Sequence, residues 1–92
     1  MSSNFSHTPG PWNVVPVFAG YAINGHHIYA GDEIVARTCA KDEGYDEANA
    51  HLISAAPDLL QALKRLVARV DPDYTEAETL EAKAAIDKAL GQ

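Results

Sequence analysis

The sequence predicts an α+β fold: a small antiparallel β-sheet of two to four strands over residues 12–40, then three helices packed on one of its faces. Three observations carry this. Between Trp12 and Ala40 the chain is rich in β-branched and aromatic residues and cut by tight-turn glycines. From about Tyr45 to Leu90 apolar residues recur at helical spacing. The two patterns occupy separate halves of the chain, so strands and helices segregate rather than alternate.

Residues 1–11 are polar and proline-rich, and "TPGP" at Thr8–Pro11 enters the fold as an extended turn. "WNVVPVF" then reads as a strand. Pro16 cannot donate to a ladder, so this strand belongs at an edge or carries a bulge. In "YAINGHHIYA" the Asn24-Gly25 pair is a strong two-residue hairpin signal, and Gly31-Asp32 offers a second tight turn. The strand Glu33–Ala40 places Glu33, Val35, Arg37 and Cys39 on one face and Ile34, Ala36, Thr38 and Ala40 on the other. Neither face is cleanly polar, which predicts a sheet covered on both sides. The helices of so short a chain cover one side, leaving the other for a second copy.

The acidic loop "AKDEGYDEAN" leads into a helix over about 45–55, with Asp42, Glu43, Asp46 and Glu47 as a solvated loop and helix start favoured by the macrodipole. Its expected inner side holds Ala48, Leu52, Ile53 and Ala56. Pro57 followed by Asp58 matches a helix start, so Ser54–Asp58 reads as a sharp corner, with one kinked helix as the alternative. A helix over 57–70 follows, its stripe formed by Leu59, Leu63, Leu66 and Val70, with Leu60 and Val67 beside it. Thr75 and Glu78 form a capping-box pattern for a last helix over 75–90, with Leu80, Ile86 and Leu90 inward and Gly91 as its cap.

Ninety-two residues make one domain, 1–92, with a small core. Much of the 47% hydrophobic content is alanine, so the core is short of large side chains and an oligomer interface is expected to supplement it. The net charge of −6 disfavours binding to a phosphate backbone, so neither DNA nor RNA is an expected partner. A DNA mimic using Asp71, Asp73, Glu76, Glu78 and Glu81 weighs less than an ordinary solvated helix. One cysteine excludes an internal disulfide framework and suits a reducing cytoplasm. No signal-peptide pattern and no membrane-spanning stretch is read.

Two segments carry a resemblance. "HTPGPW" at His7–Trp12 and "ANAHLISAAPDLLQAL" at Ala48–Leu63 resemble the ends of a widespread group of small phage and prophage proteins. Those proteins open with an HTPGPW-type segment and close with an ANARLIAAAPDLLEAL-type helical segment. The stretch 13–44 carries no matching motif. The resemblance implies phage origin and a host-cytoplasm setting rather than a particular activity. By analogy of context it implies a counter-defence role, through sequestering a nucleotide-like signal or blocking a host defence protein.

No catalytic constellation is read, so the chain is expected not to be an enzyme. No cofactor and no metal are expected: His26 and His27 point to opposite faces, His7 and His51 are isolated, and no CxxC or HxxxH spacing exists. All four histidines read as hairpin and surface residues, and Cys39 as a small strand residue. The candidate ligand-binding residues are His7, Trp12, Arg37, Tyr45, Asn49 and His51. Trp12 reads as a core anchor or an aromatic platform. Arg37, the one cation of the predicted sheet, suits a phosphate clamp or, equally, an ion pair with a neighbouring acid. Tyr45 joins Tyr21 and Tyr29 as interface material. Asn49 and His51 lie in the motif-bearing helix. The partners expected are a second copy and either a nucleotide-like small molecule or a host protein.

Overall fold

The structure, a computed structural model, describes residues 7–39, 45–70 and 76–91. Three strands, β1 (Asn13–Ala19), β2 (Ala22–Ala30) and β3 (Glu33–Cys39), precede three helices, α1 (Tyr45–Ser54), α2 (Ala56–Ala68) and α3 (Ala77–Ala89). The sheet is an antiparallel meander in the order β1-β2-β3, and the fold is α+β as its pattern predicts. The described residues fall into two compact units, Thr8–Asp58 and a second that includes the rest of α2 and α3.

Two-residue loops make both hairpins. Gly31 opens the β2–β3 loop at φ 63°, as expected of Gly31-Asp32. The β1–β2 loop is Gly20-Tyr21, with Gly20 at φ 66°, and not Asn24-Gly25. In each loop only the first residue has positive φ, the type II′ pattern that matches strand twist. Asn24-Gly25 lies inside β2 and makes a bulge: Val17 pairs with Gly25, Phe18 pairs with Ile23, and Asn24 has no opposite number. The glycine there answers to space rather than to a turn. A Cβ on Gly25 would sit 2.4 Å from the carbonyl oxygen of Thr38.

β1 is an edge strand, the position that Pro16 requires. A second bulge falls in β3, where Ile28 pairs with Ala36, Tyr29 pairs with Ile34, and Val35 is skipped. It breaks the period-2 alternation within β3. The mixed faces read from Glu33–Ala40 therefore arise in part from this register shift. Ala40 itself, with Asp42 and Glu43 of the acidic loop, lies outside the described residues.

α1 packs on the sheet through Asp46, Ala50 and Ile53. This differs from the expected inner side: Ala48 and Leu52 are exposed. The core of the unit is compact, and Ile28 and Ala50 are the fully buried apolar residues among those described.

Pro57 does not kink one helix. α1 ends at Ser54, Ala55 stands alone between helices while its N–H still donates to His51 O at 3.1 Å, and α2 starts at Ala56. Ala56 is helical despite preceding a proline, so the break in the helical run is the single residue Ala55 rather than the span Ser54–Asp58. Pro57 cannot return a hydrogen bond to Ile53, which ends the α1 ladder there. The proline also has a packing role. A methyl placed on Gly10 would lie 3.4 Å from Pro57 Cβ and 3.7 Å from Cγ. The two motif segments thus meet, Gly10 of "HTPGPW" against Pro57 of "AAPDLL".

In α2 the half-buried line is Leu60, Leu63 and Val67, continued by Val70, while Leu59 and Leu66 of the expected stripe are exposed. In α3 the line is Thr79, Ala82, Lys83, Ile86 and Leu90, and Leu80 is exposed, not inward. Glu76, not Thr75, is the N-cap, without a side-chain cap bond; Thr75 lies outside the described residues. Gly91 at φ 79° closes α3, with its N–H on Lys88 O at 3.2 Å.

Candidate functional site

The register sorts the sheet's side chains into two faces. On the inner face the rows are Val14–Ile28–Ala36 and Pro16–His26–Thr38. On the outer face they are Val15–His27–Arg37 and Val17–Gly25–Cys39, with Asn13 opposite Tyr29. His26 and His27 do point to opposite faces, by the period of the strand.

The inner face holds a polar pair that sequence reasoning missed. His26 and Asp46 are both buried, and His26 Nδ1 donates to Asp46 Oδ2 across the β2–α1 interface. His26 is thus not a surface histidine, and Asp46 is not part of a solvated helix start. Thr38 Oγ1 and Asp46 Oδ1 are buried beside it without a hydrogen-bond partner. The signal was present: His26 shares strand parity with Ile28, and Asp46 lies at i−4 and i−7 from Ala50 and Ile53. Acidic residues at a helix start ordinarily read as dipole partners, which hid it.

The outer face is open. A cleft of about 200 Å³ there is lined by Val17, Asn24, His27, Arg37, Thr38 and Cys39. His27 and Tyr29 stack at a tilt, their ring centroids 6.0 Å apart. Arg37 and Cys39 are exposed, and Val15 is 43% exposed. The Asn24 bulge and Gly25, which has no side chain, hollow this end of the face. The arrangement offers a guanidinium, an imidazole and a carboxamide beside apolar wall, the chemistry of a small anion-accepting cleft.

The six residues singled out in the sequence are not gathered into one site. Arg37 lies on the outer face. Tyr45, Asn49 and His51 are on α1, which covers the inner face, and all three are exposed. His51 Nε2 sits 3.7 Å from Glu47 Oε2, one turn back on the same helix. Trp12 is half-buried and its indole N–H donates to Thr8 O at 3.1 Å, closing the segment over the cis Gly10-Pro11 bond. That favours its role as an anchor over a platform. His7 is exposed at the start of the described chain.

Among the described residues no group of three or more His, Cys, Asp or Glu is arranged to hold a metal ion. Nor is any described helix long and apolar enough to cross a membrane.

No curated protein and no solved structure matches the chain. One family model does, and it covers residues 1–92, motif segments and unmatched middle alike. Its description is that of a bacteriophage protein, in keeping with the resemblance carried by His7–Trp12 and Ala48–Leu63. The chain belongs to the family of the Salmonella phage P22 protein Y8K6.

Proposed function

We propose that this phage protein is an accessory protein that acts by binding rather than by catalysis, in the host cytoplasm. Its contact surface is the outer face of the sheet, and its ligand is a nucleotide-like signalling molecule of host defence. The observation that carries the reading is the cleft at Arg37, His27 and Asn24 on a face that α1 leaves open. Arg37 receives a phosphate with its fork of N–H groups, and the adjoining rings and valines offer apolar surface to a base. Size limits the role of one copy. Ligand pockets run to roughly 300–1,000 Å³, whereas this cleft has about 200 Å³. It accommodates a phosphoryl group, so a whole nucleotide requires a second surface, which a second copy of the chain supplies.

A second reading, a protein that blocks a host defence protein, draws on the β1–β2 hairpin. Phe18, Tyr21 and Ile23 are exposed there, and aromatic residues are enriched in protein contacts.

A thermal-shift panel of cyclic di- and trinucleotides and ADP-ribose derivatives tests the first reading. A ligand at one hundred times its dissociation constant stabilises the fold by about 2.7 kcal/mol, a readable shift that Arg37→Ala should remove. A flat panel, together with capture of a host protein that is lost in a Phe18→Ser/Tyr21→Ser variant, favours the second.

A further inference from the structure

α2 has leucines or valine at 59, 60, 63, 66 and 67, and none of its residues is fully buried. Leu59 is 53% exposed and Leu66 is 64% exposed. With successive residues about 100° apart, these two lie within about 20° of each other on the helix surface, one heptad apart. Exposed Ala62 and half-buried Leu63 complete a patch between them. The fully buried apolar core among the described residues is Ile28 and Ala50, both outside α2. A chain with so small a core gains from covering such a patch.

We infer that the occupant is the α2 of a second copy, packed antiparallel about a two-fold axis between Ala62 and Leu63. The pattern is self-complementary about that point. Leu59 of one copy meets the partner's Leu66, and Ala62 lies across the axis from the partner's Ala62, where the small side chains let the helices approach closely. Charge decides the direction. Asp58, Arg65 and Arg69 are exposed along one flank of the patch. Reversal of one helix brings Asp58 beside the partner's Arg65 and Arg69, twice by symmetry. A parallel pairing about a two-fold turns this flank toward the partner's opposite flank, at Leu63 and Val67, and forms neither charge pair. The inference rests on the homo-oligomer part of the reading above and not on its ligand. α2 contributes 13 residues, fewer than the roughly 20–30 a side of a standard interface, so the dimer forms at micromolar concentration and dissociates on dilution.

Sedimentation velocity of the full chain without ligand, from 5 to 200 µM, tests it. The expected result is a concentration-dependent rise from a 9.9 kDa species toward twice that mass. Leu66→Asp should weaken association at least tenfold, and the exposure of Leu66 leaves the fold, read by circular dichroism, intact. Asp58→Arg should also weaken it, and adding Arg65→Asp with Arg69→Asp should restore it, which only the antiparallel register predicts. In a Cys39→Ser background, Ala62→Cys should cross-link to a dimer with diamide, whereas Ala68→Cys on the far side should not. A single 9.9 kDa species across the range overturns the inference, as does a dimer indifferent to Leu66→Asp or a cross-link at 68 but not at 62. Because association is read here without any ligand, a failure of the dimer and a flat ligand panel are separate outcomes.

Discussion

His26 Nδ1 donates a hydrogen bond to Asp46 Oδ2, joining the middle strand to α1 across twenty residues of sequence, with each side chain about 5% exposed. Placing α1 on the sheet therefore depends on two polar groups that must find each other, because either alone would be buried without its partner.

Removing one member of that pair should cost more than the bond itself. Asp46→Ala strands a buried imidazole donor, and the expected loss is about 2 kcal/mol, or a fall in melting temperature of roughly 8–16 °C at about 4–8 °C per kcal/mol. In a double-mutant cycle with His26→Ala, the two losses should fall short of additivity by about 1 kcal/mol or more. Additive losses in thermal unfolding would show the pair to be uncoupled.

The core is small enough for one residue to dominate it. Ile28→Ala should destabilise by about 2–5 kcal/mol, since Ile28 is fully buried between β1, β3 and α1. Leu52→Ala, on the exposed side of α1, should change stability by about 0.5 kcal/mol or less. Urea midpoints of the two variants check the contrast, and equal effects would misplace the inner side of α1.

Gly25 and Gly20 should fail for different reasons. Gly25→Ala drives a methyl into the Thr38 carbonyl, so β2 and β3 must part, at about 1–3 kcal/mol. Gly20→Ala meets nothing within 4 Å and suffers only from its φ of 66°, at about 1–2 kcal/mol. Replacement by asparagine, which tolerates positive φ, should rescue position 20 and not position 25. Thermal melts of the four variants decide.

The contact of Gly10 with Pro57 makes the two motif segments one structural feature. Gly10→Val should crowd Pro57 and cost about 1–3 kcal/mol, and part of this should be recovered by adding Pro57→Ala, which removes the ring. A Gly10→Val variant as stable as the parent would show that the segments do not bear on each other.

Local chemistry was legible in the sequence. The separation of strands from helices, Gly31-Asp32 as a turn, Pro16 at an edge, Pro57 in the first turn of a helix and Gly91 as a cap all follow from backbone geometry that neighbouring residues impose. Asn24-Gly25 was misread because the same two residues that make a hairpin also make a bulge, and only the partner strand distinguishes them. Arg37 was recognisable as the sheet's cation, but its separation from Tyr45, Asn49 and His51 depends on which face α1 covers. That choice is made by Asp46, which reads as a dipole partner until His26 stands opposite it. The tertiary structure decided, in short, the pairings between residues far apart in the chain: His26 with Asp46, Gly10 with Pro57 and Gly25 with Thr38. Each depends on a steric or desolvation cost that arises only when two distant segments are brought together, and a linear pattern contains no term for it.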